Sequence, residues 1–217
     1  DGKMTLGEGP AWDPATGHLW FVDIKKPCVH RLNPEQGAVE TWDAPAPVGW
    51  VLPAEGGVLL AGLKTGLARF DPATGRFDLV TTVEPDLPGN RLNDATVAPD
   101  GSVWFGSMDD AETDATGRIY RWDGKKAEPV DLAPVCITNG PCFSPDGTTL
   151  YHVDTADGII HATTLGAGHE IVDTRIFARI DAADGHPDGV IADSAGNVWV
   201  GLWNGWAVRR YAPDGTV

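Results

Sequence analysis

At 217 residues, with 27 Gly, 17 Pro and 9 Trp and its Val, Leu and Ile in short bursts, the chain reads as short strands broken by frequent turns. Length alone admits one all-β unit or two smaller domains. Its 31 acidic against 16 basic residues give a formal charge of −15, a field that repels phosphate backbones and excludes nucleic acid as a partner. No run approaches the roughly 18 apolar residues of a membrane span, no basic start followed by an apolar core marks a signal peptide, and Cys28, Cys136 and Cys142 form no C-x-x-C pair, so the expected setting is cytoplasmic, reducing and free of membrane.

In chain order the predicted elements repeat. The segments AWDPATGHLWFVDI, VLPAEGGVLLAGL, ATVAPDGSVWFGSM, CFSPDGTTLYHVDT and VIADSAGNVWVGLW each hold an apolar run, a turn containing Gly, and a second apolar or aromatic run; the second copy is the faintest. Their turn glycines Gly17, Gly57, Gly101, Gly147 and Gly196 lie 40, 44, 46 and 49 residues apart. Further strand-like runs follow, such as GRIYRWDG, GIIHATTL and WAVRRYAPDG. That spacing predicts an all-β chain of four-stranded β-propeller blades, because helical repeats of similar length would show a 3.6-residue period and few internal Asp-Gly turns. A two-sheet sandwich is the structural alternative.

Four of the five repeats have a polar residue at the head. Asn93, Asn139 and Asp188 precede their turn glycines by 8 residues, and Glu8 precedes Gly17 by 9 across the longer DPATG turn; in the faint copy the equivalent is Gly49. On a propeller, one repeat position maps to one ring around the central channel, so Glu8, Asn93, Asn139 and Asp188 are expected to face a common axis. Two carboxylates and two amides gathered there form an all-oxygen set. Like charges about 4 Å apart repel by roughly 4 kcal/mol at an effective dielectric of 20, a repulsion that one bound divalent cation removes. Oxygen donors suit calcium or magnesium first, with manganese, iron(II) and zinc also compatible.

The stretches LGEGPAWDPATGHLWFVDI, NRLNDATVAPDGSVWFGSM, CITNGPCFSPDGTTLYHVDT and HPDGVIADSAGNVWVGLWNG resemble the gluconolactonase/regucalcin family of sugar lactonases, most strongly its bacterial xylonolactonase-type members. The resemblance covers nearly the whole chain and rests on EGP, R-x-N-D, NGP and PDG in order at propeller spacing. It implies a six-bladed propeller with one divalent metal held by Glu8, Asn139 and Asp188. It also implies a general acid/base at Asp188, and Arg91 and Asn93 on the hydroxyls of a sugar lactone. A further acidic contact follows G-[ST]-M, where Asp109, Asp110 and Glu112 compete and Asp110 is the residue carried over. At about 45 residues per blade the 217 residues supply four to five blades, so residues 1–217 are expected to be a single propeller domain that is incomplete at its C-terminus.

Other catalytic templates are absent. Ser102, Ser107, Ser144 and Ser194 lie outside any G-x-S-x-G elbow, and the six histidines show no H-E-x-x-H spacing. His186, two residues before Asp188, reads as a turn residue. Trp20, Trp104, Trp199 and Trp203 read as packing between sheets rather than sugar platforms, and Asp23 and Asp154 as structural. The expected activity is metal-dependent hydrolysis of an aldonolactone. The alternatives are a calcium-binding regulatory or scaffold propeller, or a different esterase on the same frame.

Overall fold

A computed structural model describes residues 3–217, which are all-β apart from two single-turn 3-10 segments. The chain divides into two compact units, Asp1–Asn93 and Asp94–Val217, the boundary falling inside one strand. The first unit holds two antiparallel meanders. One is β1 (Gly7–Asp13), β2 (His18–Asp23), β3 (Cys28–Asn33) and β4 (Ala38–Asp43); the other is β5 (Val48–Pro53), β6 (Leu59–Leu63), β7 (Gly66–Asp71) and β8 (Arg76–Thr82).

Three sheets follow. β9 (Asn90–Val97), β10 (Val103–Asp109), β11 (Ile119–Trp122) and β12 (Ala127–Pro129) form the third, and β13 (Thr138–Phe143), β14 (Thr149–Asp154), β15 (Ile159–Leu165) and β16 (Ile171–Arg179) the fourth. The last has three strands, β17 (His186–Ala192), β18 (Val198–Trp203) and β19 (Ala207–Tyr211). Each sheet takes its strands in sequence order, as in a propeller blade, and five blades answer the five repeats.

The turn chemistry follows from the repeated Asp and Gly. Gly17, Gly57, Gly101, Gly147 and Gly196 have φ of 68, 74, 83, 72 and 82°, the left-handed region that only glycine enters without steric cost. Four of these turns are closed by an aspartate whose carboxylate accepts the backbone N–H two residues on, as Asp13 does from Ala15 and Asp100 from Ser102.

The first unit's core is built from the alternate, inward residues of its two sheets: Trp20, Val22, Val29, Val48, Val51, Ala61, Ala68 and Phe70 are all buried. Phe70 lies 4.4 Å from Phe77, 5.7 Å from Trp42 and 6.5 Å from Trp20, measured between ring centroids. Asp23 is structural, as expected. Its buried carboxylate accepts backbone N–H groups from Thr5 at 2.7 Å, Leu6 at 3.1 Å and Lys26 at 3.0 Å, tying the segment before β1 to the end of β2. Asp154 accepts the N–H of Asp157 in the equivalent hairpin of the fourth sheet.

In the second unit Trp104 is buried, but Trp199 and Trp203 depart from the packing role expected of them. They are 38% and 52% exposed on the β17–β19 sheet, beside exposed Ile191 and Val208. Trp199 instead donates its indole N–H to Asp193 at 3.0 Å and lies under the Arg210 guanidinium, while Trp203 packs on His186 at the mouth of the hairpin. All three cysteines are free, and burial raises each thiol, Cys142 to about 12, which leaves no support for thiolate chemistry.

A buried imidazole gives the second unit a pH dependence. His152 stacks on His161 at 4.9 Å and shares a hydrogen bond with Thr163 at 3.1 Å; burial, with the neighbouring His161 second, lowers its pKa from 6.5 to about 3. Below pH 6.5 the unfolded chain takes a proton that the folded chain refuses, so stability falls as pH falls. The slope approaches about 1.4 kcal/mol per pH unit, or about 2 kcal/mol by pH 5. Melting temperatures at pH 7 and pH 5 are expected to drop about 4–8 °C less for His152→Gln than for the wild type. Equal drops would remove His152 as the cause.

Candidate active site

Glu8, Arg91 and Asn93 belong to the first unit; Asn139, Asp188 and Asp110 belong to the second. Four of the five repeat heads coincide with an irregularity that sequence spacing does not reveal. In β1 the pairing runs from Glu8↔Val22 to Ala11↔Trp20, in β5 from Val48↔Leu63 to Trp50↔Gly62, and in β13 from Asn139↔Val153 to Cys142↔Tyr151. In β17 it runs from Pro187↔Leu202 to Val190↔Val200. Each strand carries one extra residue, a β-bulge, which re-aims a side chain at the end of the strand. Glu8 and Asn139 are the last paired residues before their bulges, whereas Asp188 sits within its own, a shift of one residue from strict repeat register.

In the first unit Arg91, which is buried, donates from Nη1 to Asn93 Oδ1 at 2.6 Å, so the R-x-N pair acts as one polar group. Gly49, the glycine in the head position of the second repeat, is explained by the same segment. A Cβ there would stand 2.5 Å from the Leu92 carbonyl oxygen and 2.7 Å from that of Asn93, so the strand carrying Arg91 and Asn93 occupies the space of a side chain.

In the second unit, β13 and β17 bring Asn139 and Asp188 to the heads of neighbouring sheets. Asn139 is buried, and its amide nitrogen donates to Thr155 Oγ1 at 2.8 Å; that hydroxyl donates to the carbonyl of Pro187, the residue before Asp188, also at 2.8 Å. Burial raises the pKa of Asp188, against a hydrogen bond from the Gly189 N–H. Beside them lies Asp94, the last residue of the R-x-N-D motif, which sequence reasoning did not single out. Asp94 Oδ2 accepts the Gly140 N–H at 3.0 Å and Oδ1 that of Ala95 at 2.8 Å. Burial, with the charge of Asp188 adding to it, raises its pKa to about 7. A Cβ at residue 189 would lie 3.5 Å from Asp94 Oδ2, an ordinary contact distance, so the carboxylate rests against β17.

Of Asp109, Asp110 and Glu112, hydrogen bonding commits the first to the loop. Asp109 is buried and spends its carboxylate on the N–H groups of Ala111, Thr113 and Asp114 and on the Thr113 hydroxyl; these bonds, Thr113 first, hold its pKa down at about 2. It is the organiser of the loop. Glu112 is exposed with φ of 59°, and Asp110 stays partly buried just past the end of β10.

The donors fit a hard cation. Asn139 and Asp188 offer oxygen, and Asp188 and Asp94 are two acidic groups drawn out of water side by side, an arrangement that added positive charge would relieve. No group of three or more His, Cys, Asp or Glu side chains that would hold a metal occurs among the described residues, so an amide oxygen such as that of Asn139 is needed to complete a set. Among the described residues no helix is long and apolar enough to cross a membrane.

The sequence model of the family described as "SMP-30/Gluconolactonase/LRE-like region" matches residues 6–217. The chain is 37% identical to an L-arabinolactonase of Azospirillum brasilense over 219 residues, covering 99% of this chain and 73% of that protein. A crystal structure of a calcium-binding protein, regucalcin, from Agrobacterium tumefaciens superposes with a TM-score of 0.94 at 34% identity, over 99% of this chain and 73% of that one. A gluconolactonase structure from Xanthomonas campestris gives a TM-score of 0.82 at 29% identity, over 99% and 75%.

Proposed function

The chain belongs to the SMP-30/gluconolactonase/LRE-like family, and from that premise we propose that it hydrolyses a sugar lactone, an aldonolactone, to the corresponding sugar acid with one divalent cation. The observation that carries the reading is the placement of Asn139 and Asp188 at the heads of β13 and β17, with Thr155 bonded both to Asn139 and to the carbonyl of Pro187 before Asp188, in a chain 37% identical to a protein named L-arabinolactonase. Glu8, Asn139 and Asp188 would hold the cation. When bound, it supplies a Lewis acid that polarises the ester carbonyl and makes water a better nucleophile.

The remaining steps fall to side chains of this protein. Asp188 takes the proton from the attacking water and returns it to the ring oxygen as the ester bond breaks, the work of a carboxylate whose pKa is raised by burial. Arg91 and Asn93, tied at 2.6 Å, present one donor and acceptor surface to the sugar hydroxyls, and Asp110 accepts from another hydroxyl. Such contacts raise the rate by fixing the ring against the nucleophile. The oxygen donors favour calcium or magnesium, with iron(II), zinc and manganese as compatible substitutes.

A second reading draws support from the similar Agrobacterium protein, named as a calcium-binding protein, regucalcin: the same donors would serve a calcium-binding regulator or scaffold. The test is acid release from a panel of five- and six-membered aldonolactones, followed with a pH indicator against the spontaneous rate. Saturable acceleration supports the lactonase. Calcium binding with no acceleration on any lactone favours the scaffold.

A further inference from the structure

The amide of Asn139 has an oxygen end that accepts and a nitrogen end that donates, nearly equal in shape, and only the oxygen ligates a cation. The hydroxyl of Thr155, immediately past the end of β14, distinguishes the two ends. Its single proton goes to the Pro187 carbonyl at 2.8 Å, and a carbonyl can only accept. Towards Asn139 the hydroxyl is therefore left with a lone pair, which the amide must meet with its nitrogen, at 2.8 Å. An amide turned end for end would set two acceptors against each other among buried groups, for Asn139 and Thr155 are only 6% and 8% exposed.

We propose that Thr155 is a positioning residue for the cation site: its hydroxyl, oriented by the Pro187 carbonyl, turns the Asn139 amide so that oxygen faces the cation. Because Pro187 precedes Asp188, the same hydroxyl couples the orientation of one ligand to the strand that carries another. The inference rests on Asn139 being a ligand. It differs from a packing role in what it demands of position 155, namely a hydroxyl rather than a shape.

The experiment titrates calcium, and manganese where calcium does not bind, into chelator-stripped protein by calorimetry, with the melting temperature of the stripped protein as the check on folding. Thr155→Val keeps the shape and deletes the hydroxyl, and affinity is expected to fall about 10- to 100-fold, as for other groups that orient a ligand from behind. Thr155→Ser is expected to keep it. Thr155→Ala takes the place of the valine variant if that variant does not fold. In an Asn139→Asp background, where both ends of residue 139 are oxygen, Thr155→Val is expected to change affinity by less than about 3-fold, the signature of coupling between the two positions.

Asn139→Leu separates the failures. If it binds cation as the wild type does, or if the wild type binds none, Asn139 is no ligand and both readings fall. If Asn139→Leu is weakened while Thr155→Val binds normally, or if Thr155→Ser is as weak as Thr155→Val, only the positioning role is overturned.

Discussion

Asp188→Asn is expected to fold and to lose kcat by about 10² or more, the lower range for removing a general base. The substitution keeps an oxygen and nearly the same volume inside the β17 bulge, and a Cβ on Gly201 would lie 3.9 Å from that of Asp188, so the neighbouring strand leaves the side chain unhindered. What changes is charge and basicity. One anionic ligand is lost, so cation affinity falls as well, and assays at saturating cation separate the two effects: a loss that persists there belongs to the proton transfer. Near-normal kcat in cation-saturated Asp188→Asn would reduce Asp188 to a ligand and send the proton to another group.

Phe70→Ala is expected to cost about 3–5 kcal/mol of stability, the range for emptying an aromatic site that cannot collapse. Phe70 is fully buried, and three aromatic rings around it, Phe77, Trp42 and Trp20, are themselves held by β8, β4 and β2. With a urea m-value of about 2–3 kcal/mol/M, the midpoint should move down by about 1–2.5 M. A shift of less than about 0.3 M with an unchanged m-value would mean that the rings repack into the space and that the cluster contributes far less than its burial implies.

Much of this architecture is legible in the sequence because a hairpin turn leaves a local mark. Asp13-Pro-Ala-Thr-Gly17 and Pro99-Asp-Gly101 state both the aspartate that accepts the turn N–H and the glycine that takes positive φ, so five repeats translate directly into five sheets. The polar heads are legible for the same reason, since they stand 8 or 9 residues before the glycines of those turns. The one-residue displacement of Asp188 into its bulge is not, because a bulge is a property of two paired strands and the partner's register is not written beside it.

Burial and partnership were harder to read. Trp104 and Trp199 occupy corresponding places in their repeats, yet one is 1% and the other 38% exposed, because what covers a sheet face is decided by neighbours distant in sequence. Asp109 and Asp110 are indistinguishable as letters, and only the four hydrogen bonds on Asp109 mark it as structural. Asp94 did leave a signal, as the last letter of R-x-N-D, but its contact with Gly140, 46 residues on, gives that letter its meaning. Thr155 left none that spacing could find: its role depends on which way one proton points.

The most direct measurement follows acid release from an aldonolactone by protein stripped with chelator and then titrated with a divalent cation, wild type and Glu8→Gln side by side. The account predicts hydrolysis at the spontaneous rate in the stripped wild type, restored saturably by cation with the half-point of cation binding. For Glu8→Gln that half-point moves to higher concentration, since one of two anionic ligands is gone. Full activity in rigorously stripped protein, with Glu8→Gln and wild type responding alike to added cation, would contradict it.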